Sequence, residues 1–498
     1  MAMVLAGTAR IASTWLVFNH TVDEPDTLAA GMEYLSTGRY LYEDTHPPLG
    51  RVMAAIGPYL AGERFHPGPS SYGEGYRILG HGDHYDRILA LSRAGNLIFF
   101  WIASAVVYLW CWRAGGPKAA VIGTLLFTTL PPILGHASLA TTDMALCAMG
   151  SAAVLASLYW VDLPSRRRTV IFGMLTGLAF VSKFTALLYL PAAWLLMAVW
   201  TLLSTHRGPQ WPLHELWARR RMLALAAAVA ALTVWATYGF SFARVDFLHL
   251  RLPAPRFFSG IHSVWLHSQR GHPAYLLGRR SPIGFWYYFP TVLGLKTPLA
   301  LLALLALSPW LMKDRRAAGL AGAFAAGVVL IAMTGHIDLG VRYLLPAYVG
   351  IAVVCACAAA HARGWPAQAA VVALIAWQIV SGDLVHPDYL AYTNEIAGRH
   401  PERFLADSDL DWGQDMKRLE AFLEQQHAAQ VTFVPFNRTY PSMAGHAMLP
   451  TAPGDSDHPS PGWNAVSITI WKVFGYPQWA DRIPEQRRIG KSILLWYF

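Results

Sequence analysis

The stretch NHTVDEPDTLAAGMEYL places Asp23, Glu24 and Asp26 within four residues, just past the first apolar run of the chain. Another acid, Asp143, stands in ASLATTDMALCAMG, 120 residues further on. A carboxylate at a membrane boundary is costly unless it is paired or used. Either acid could simply cap a helix, because Thr141, Thr142 and Asp143 are all good N-terminal residues and Asp23 precedes the helical pattern PDTLAAGMEYL. Cations accompany them: Lys183 interrupts an apolar stretch, Arg342 sits in HIDLGVRYLLPAYVG, His46 opens HPPLG, and LGLKTPLALL adds Lys296. A lysine in such a place either snorkels to the interface or, held rigid, binds a phosphate as a point charge where arginine would act as a fork. Carboxylates and phosphate-binding cations on one face suit a lipid-phosphate substrate. One acid would deprotonate an acceptor hydroxyl while the cations stabilise the leaving phosphate.

Those residues must be positioned by membrane helices. Of the 498 residues 54% are hydrophobic and 14% charged, against about 25% charged in soluble domains. The net charge of +9 does not indicate a nucleic-acid partner, because the basic residues sit in short clusters between apolar runs, where they act as topology signals. Cys111, Cys147, Cys355 and Cys357 all fall inside apolar runs with no metal-ligand spacing, and are expected to be buried free thiols.

Eleven candidate spans are expected, roughly 1–18, 90–112, 119–135, 143–161, 169–182, 184–203, 222–241, 288–312, 317–334, 342–360 and 366–382. The first has no small-residue cleavage site and is taken as a helix rather than a signal peptide. The run VIFGMLTGLAFVSKFTALLYLPAAWLLMAVW is broken at Ser182–Lys183. With the N-terminus inside, the inner loops hold thirteen basic residues: Arg113, Lys118, Arg166, Arg167, Arg168, Arg207, Arg219, Arg220, Arg221, Lys313, Arg315, Arg316 and Arg363. The short outer connections hold only Lys183 and Arg342. This orientation puts Asp23 and Asp143 on the same outer side, with the C-terminus.

Three long segments then lie outside: 19–89, 242–287 and 383–498, rich in Trp, Tyr, Pro and Gly. In HPPLGRVMAAIGPYLAGERF the residues Leu49, Val52, Met53, Ile56 and Leu60 recur at helical spacing after Pro–Pro, as in an amphipathic helix lying on the outer membrane surface. The tail mixes a helical stretch, QDMKRLEAFLEQQ, with strand-like QVTFVPF and AVSITIWKVF. The expected organisation is an all-α multi-span membrane domain over 1–384 and a small extracytoplasmic α/β domain over 385–498.

At these residues the chain resembles a known family. TVDEPDTLAAGMEYLSTGRYLYEDTHPPLGRVMAA is similar to the first outer loop of the dolichyl-phosphate-mannose protein mannosyltransferase superfamily, which includes the bacterial lipid A aminoarabinose transferases. ATTDMALCAMG, GLAFVSKFTALLYLPA, KTPLALL, GVRYLLPAY, HPDYLAYTNEIAG, DSDLDWGQDMKRL and RRIGKSILLWYF match further, from about residue 20 to the end. The resemblance implies a GT-C type, inverting hexosyltransferase that takes a sugar from a polyprenyl phosphate on the non-cytoplasmic face of the plasma (inner) membrane and passes it to a lipid, glycan or protein acceptor. It makes Asp23 the catalytic acid of the first loop, with Glu24 beside it, and Asp143 the acid of the second. His46 occupies the position before Pro–Pro, where the aminoarabinose branch has Lys. Glu24, His46, Lys183 and Arg342 are thereby substrate-binding candidates. The large luminal domain of the eukaryotic mannosyltransferases is missing, which leaves the acceptor open.

Asp407, Asp409 and Asp411 alternate as in a calcium loop, but Trp412 and Arg418 stand where that loop needs glycine and a closing carboxylate. Asp411 is instead expected to cap the helix beginning near Gln414. No cofactor is required by the sequence. The resemblance leaves open a divalent metal bridging the sugar phosphate, with Asp23, His46 and Asp143 as candidate ligands. The rival reading is a polyprenyl-phosphate flippase without chemistry; transport sites need polar or broken helices near the bilayer centre, whereas here the acids cluster at one face.

Overall fold

The computed structural model describes residues 1–205, 214, 217–312, 315–436, 447–450 (backbone only) and 457–498. Arg207 and Lys313 of the expected inner loops lie outside the described residues. In chain order the helices are α1 (Ala2–Ala12), α2 (Glu24–Thr37), α3 (Pro48–Leu60), α4 (Ser71–Leu79), α5 (Gly82–Gly95), α6 (Leu97–Thr128), α7 (Pro131–Ala137), α8 (Asp143–Asp162), α9 (Arg166–Phe180), α10 (Ala186–Thr205), α11 (Arg220–Thr237), α12 (Pro255–Arg270), α13 (Tyr288–Lys296), α14 (Leu299–Leu311), α15 (Arg316–Ala332), α16 (Leu345–Ala360), α17 (Trp365–Leu384), α18 (Met416–Gln425) and α19 (Ile468–Phe474).

Among the described residues six helical stretches are long and apolar enough to cross a membrane, and α13 with α14, bent by 108° where Pro298 intervenes, makes a seventh if the pair is one span. Expected spans 1–18, 169–182 and 317–334 form helices of 11, 15 and 17 residues. Expected spans 90–112 and 119–135 join in one helical stretch that turns back on itself. Gly116, at φ 77°, supplies the left-handed turn ahead of Pro117. A Cβ on Gly123 would run into Cys111 Sγ, which is possible only if 97–115 and 117–128 pack antiparallel.

The two ends of the bundle differ. At one end Arg113 holds Asp162 through two 2.9 Å bonds, Arg219 donates to Val161 O (3.0 Å), and Trp200 donates to Arg316 O (3.0 Å). The basic loops lie there. Helix α8, about 30 Å long by its rise per residue, carries Asp143 at the opposite end. Arg342 and Lys183 also stand at helix starts, ahead of α16 and α10. All four cysteines are buried and free, as expected.

Helix α3 turns Gly50, Arg51, Ala54, Ala55 and Pro58 inward and leaves Leu60 exposed. The small residues allow close approach: a Cβ on Gly31 of α2 would collide with Arg51 O, and one on Gly50 would stand 3.1 Å from Thr142 Cα. HPPLG is thereby seated against the Asp143 turn, and Leu49 N bonds to Val181 O (3.0 Å) beside Lys183.

The tail holds α18, α19 and a five-stranded sheet of β5 (Gln430–Val434), β6 (Ala447–Pro450), β7 (Trp463–Ser467), β8 (Arg487–Ile489) and β9 (Ile493–Tyr497), in order β6-β5-β7-β9-β8; two short hairpins, β1–β2 (Phe242–Val245, Leu250–Pro253) and β3–β4 (Ala274–Leu276, Arg279–Ser281), precede it in the chain. Strand β5 runs parallel to β6 and β7, while β7 pairs antiparallel with β9. The expected strand AVSITIWKVF is corrected: only its first residues belong to β7, and Ile468–Phe474 turn into α19. Alternation fails as a signal there because Ile468, Thr469, Trp471 and Val473 are all buried. Strand β9, within the family-like RRIGKSILLWYF, pairs with β7 on one side and the edge strand β8 on the other.

Candidate active site

Asp23 ends the turn before α2 but its side chain does not cap that helix. Its Oδ2 accepts from Arg342 Nη1 at 2.9 Å. Asp143 opens α8, again without capping it, and its Oδ1 lies 2.6 Å from Lys183 Nζ. Both acids therefore take a cation in preference to a helix end. Their environments differ: the Asp23 side chain is 36% exposed, that of Asp143 2%.

The two pairs share a chamber. A cavity of about 400 Å³ is lined by Asp23, His46, Lys183, Arg342, Tyr343 and Trp412 among others. It adjoins a recess of about 170 Å³ that has Asp23, His46, Arg342 and Asp143 in its wall. The Lys183 ammonium stands 4.1 Å over the Tyr343 ring and the Arg342 guanidinium 4.3 Å over Trp412, so aromatic faces steady both cations.

His46 closes one side of the chamber. Arg51 Nη2 lies 3.2 Å from its Nδ1; a guanidinium can only donate, so Nδ1 accepts and the ring proton resides on Nε2. Burial, with the Arg51 and Lys183 charges adding to it, holds His46 down to about 3. The imidazole is neutral at physiological pH. Arg51 also grips Asp26 (2.8 Å) and Glu43 (2.5 Å), a network absent from the sequence reading although Arg51 interrupts the apolar face of HPPLGRVMAA.

Two expected placements are corrected. Glu24 lines neither cavity: its carboxylate receives Arg93 in two 2.8 Å bonds together with Thr21 N and Ala140 N. It ties the first outer loop to α5 and to the Asp143 loop. Lys296 likewise turns away, donating to Leu390 O (2.7 Å) and Asp409 O (2.5 Å).

The acidic tail motif clamps the chamber from outside. Val22 N bonds to Trp412 O (3.1 Å) and Asn19 Nδ2 to Gly413 O (2.6 Å), which fixes the Asp23 loop. Val341 N donates to Asp409 Oδ1 (2.9 Å) and Ser408 Oγ to Leu339 O (2.8 Å), which fixes the Arg342 turn. Asp411 does not cap the helix that follows it, which starts at Met416; it accepts instead from Ser467 Oγ and from Thr469 N in the first turn of α19. These bonds leave no calcium loop.

A metal does not fit Asp23, His46 and Asp143 as they stand. Each carboxylate is engaged by a cation, and Arg51 occupies His46 Nδ1. Among the described residues the group of three potential ligand atoms that come together is His400, Glu402 and Glu485, and Arg488 already sits between them.

No protein-family model matches the chain, and no curated protein matches it in sequence. Solved structures do match. ArnT from Cupriavidus metallidurans bound to undecaprenyl phosphate aligns over 99% of this chain and 97% of its own, with a TM-score of 0.56 and 14% identity. The archaeal oligosaccharyltransferase AglB from Archaeoglobus fulgidus, in complex with an inhibitory peptide and a dolichol-phosphate, covers 97% and 72% with a TM-score of 0.51 and 11% identity. The chain has the GT-C fold. The match to ArnT runs over the membrane helices and the tail alike.

Proposed function

We propose that the chain is an integral-membrane, inverting glycosyltransferase. It moves a sugar, a mannose-like hexose or a pentose, from a polyprenyl-phosphate carrier to an acceptor hydroxyl of a lipid, glycan or protein. The observation that carries this is the meeting of Asp23 and Asp143 in the recess of one chamber, each paired with a cation from a different turn ahead of a helix. The lipid phosphates bound by ArnT and AglB support it. The chain crosses the plasma (inner) membrane eleven times, with the basic loops inside. Loops 19–89 and 242–287 and the α/β domain 385–498 lie outside, so the chamber opens to the extracytoplasmic side.

Before substrate enters, Arg342 neutralises Asp23 and Lys183 neutralises Asp143. The carrier phosphate draws on both cations and leaves the Asp23 carboxylate free to accept a proton. The acceptor oxygen attacks the anomeric carbon on the face opposite the phosphate, giving its proton to Asp23. The carbon–oxygen bond to phosphate breaks, the electron pair stays on the phosphate, and the configuration inverts. Fixed cations at the developing charge supply about 3 kcal/mol or more of the lowered barrier. Asp143 holds Lys183 extended into the chamber, and neutral His46 presents its Nε2–H as a donor.

Purified protein in detergent, given polyprenyl-phosphate mannose and an acceptor, is expected to free polyprenyl phosphate and form an inverted glycoside. Absence of release, together with movement of the lipid across a vesicle bilayer, would make the protein a flippase.

A further inference from the structure

Four acids stand between Asp407 and Asp415, and three are consumed by the fold. Asp409 takes Val341 N and Tyr288 Oη (3.1 Å), Asp411 takes Ser467 and Thr469, and Asp415 takes Arg418, Lys491 N and Ser492. Asp407 is different. It lines the 400 Å³ chamber together with Asp23, Lys183 and Arg342, although it is only 8% exposed. One oxygen, Oδ1, accepts Ser408 N at 2.6 Å; among the described residues nothing bonds to the other. Its backbone has φ 54°, a left-handed conformation that costs a non-glycine residue energy and recurs at functional positions.

The chamber divides by charge. A phosphate belongs with Lys183 and Arg342 and is repelled by a further carboxylate, whereas an ionised carboxylate can only accept hydrogen bonds and so needs donors. The ring hydroxyl groups of a sugar whose anomeric carbon carries a phosphate held by Arg342 are such donors. Burial raises the Asp407 carboxyl, opposed by Ser408 N–H, by Arg342 and by His272 of the same chamber, and Asp23 adds to the rise; Asp407 thus feels both partners of the central ion pair.

We propose that Asp407 is a specificity-determining residue: its free oxygen accepts hydrogen bonds from hydroxyl groups of the sugar on the polyprenyl-phosphate donor. This rests on the transferase reading above for the identity of the ligand.

Binding tests it without turnover. Wild-type protein in detergent is titrated with polyprenyl-phosphate mannose and with bare polyprenyl phosphate, alongside Asp407→Asn. Asparagine keeps the shape, keeps an oxygen for Ser408 N–H and tolerates the left-handed backbone. The wild type is expected to prefer the mannosyl lipid by about tenfold or more, and Asp407→Asn to lose most of that preference while binding the bare lipid unchanged. If the variant does not fold, wild-type protein with deoxy-mannosyl lipids serves instead: loss of one hydroxyl should weaken binding by about tenfold. Equal binding of both lipids by wild type, an undiminished preference in Asp407→Asn, or a variant in which only the acceptor KM rises would overturn the assignment. Selective sugar binding with no transfer under any condition would instead remove the transferase reading and leave Asp407 in place.

Discussion

Arg342 Nη1 and Asp23 Oδ2 stand 2.9 Å apart across 319 residues of chain. The guanidinium also donates through Nε to Leu339 O (2.9 Å) and lies over Trp412, so it is fixed on three sides before any substrate arrives. Lysine cannot reproduce a planar fork held this way. Arg342→Lys is expected to lower kcat for donor consumption by about 10²-fold or more, the usual cost of losing one preorganised charge contact. Steady-state release of polyprenyl phosphate measures it.

Lys183 and Asp143 form a buried pair, and breaking one side leaves an uncompensated charge. Lys183→Met and Asp143→Leu should each destabilise the protein by about 3–5 kcal/mol, whereas the double variant should recover much of that loss. Activity should stay absent in all three, because Lys183 is needed at the phosphate and Asp143 is needed to hold it there. Thermal unfolding in detergent, run beside the release assay, separates the two effects.

Glu24 is expected to act on stability. Burial would raise its carboxyl, but Arg93 and the N–H groups of Ala140 and Thr21 hold it below 4.5. A lowered folded value means that the stabilisation is present above 4.5 and is lost as pH falls through the folded value. Glu24→Gln should lower Tm at pH 7 and flatten the acid limb of the stability curve, with donor KM within about threefold of wild type by the size of ordinary indirect effects.

His46 gives the same sign over a higher pH range. Its folded value of about 3 lies below the ordinary 6.5, so the unfolded chain takes up a proton that the native one refuses, and stability falls as pH drops from about 6.5. His46→Gln should remove that part of the slope. The rate profile of the wild type between pH 5 and 8 should carry no limb from His46, which a pH series of kcat/KM would show.

Much of this site was legible because charge is rare in the chain. Against an apolar background Asp23, Asp143, Lys183 and Arg342 stand out singly, and the clustering of basic residues in the alternate loops of the sequence indicates which face they share. Pairing was not legible: nothing in the spacing says that Arg342 takes Asp23 while Lys183 takes Asp143. Glu24 looked like the equal of its neighbour, yet one residue of helical rotation carries it out of the chamber and onto Arg93. In the tail, alternating acids are ambiguous in sequence between a calcium loop and a helix cap; that Asp409 holds Val341 depends on a contact 68 residues away, and that Gly413 holds Asn19 on one 394 residues away.

The most direct test is Asp23→Asn. The side chain keeps its shape and still accepts from Arg342, but it cannot take a proton. Purified, correctly inserted Asp23→Asn should bind polyprenyl-phosphate mannose and release no polyprenyl phosphate. Release at the wild-type rate would contradict the assignment of Asp23 as the base.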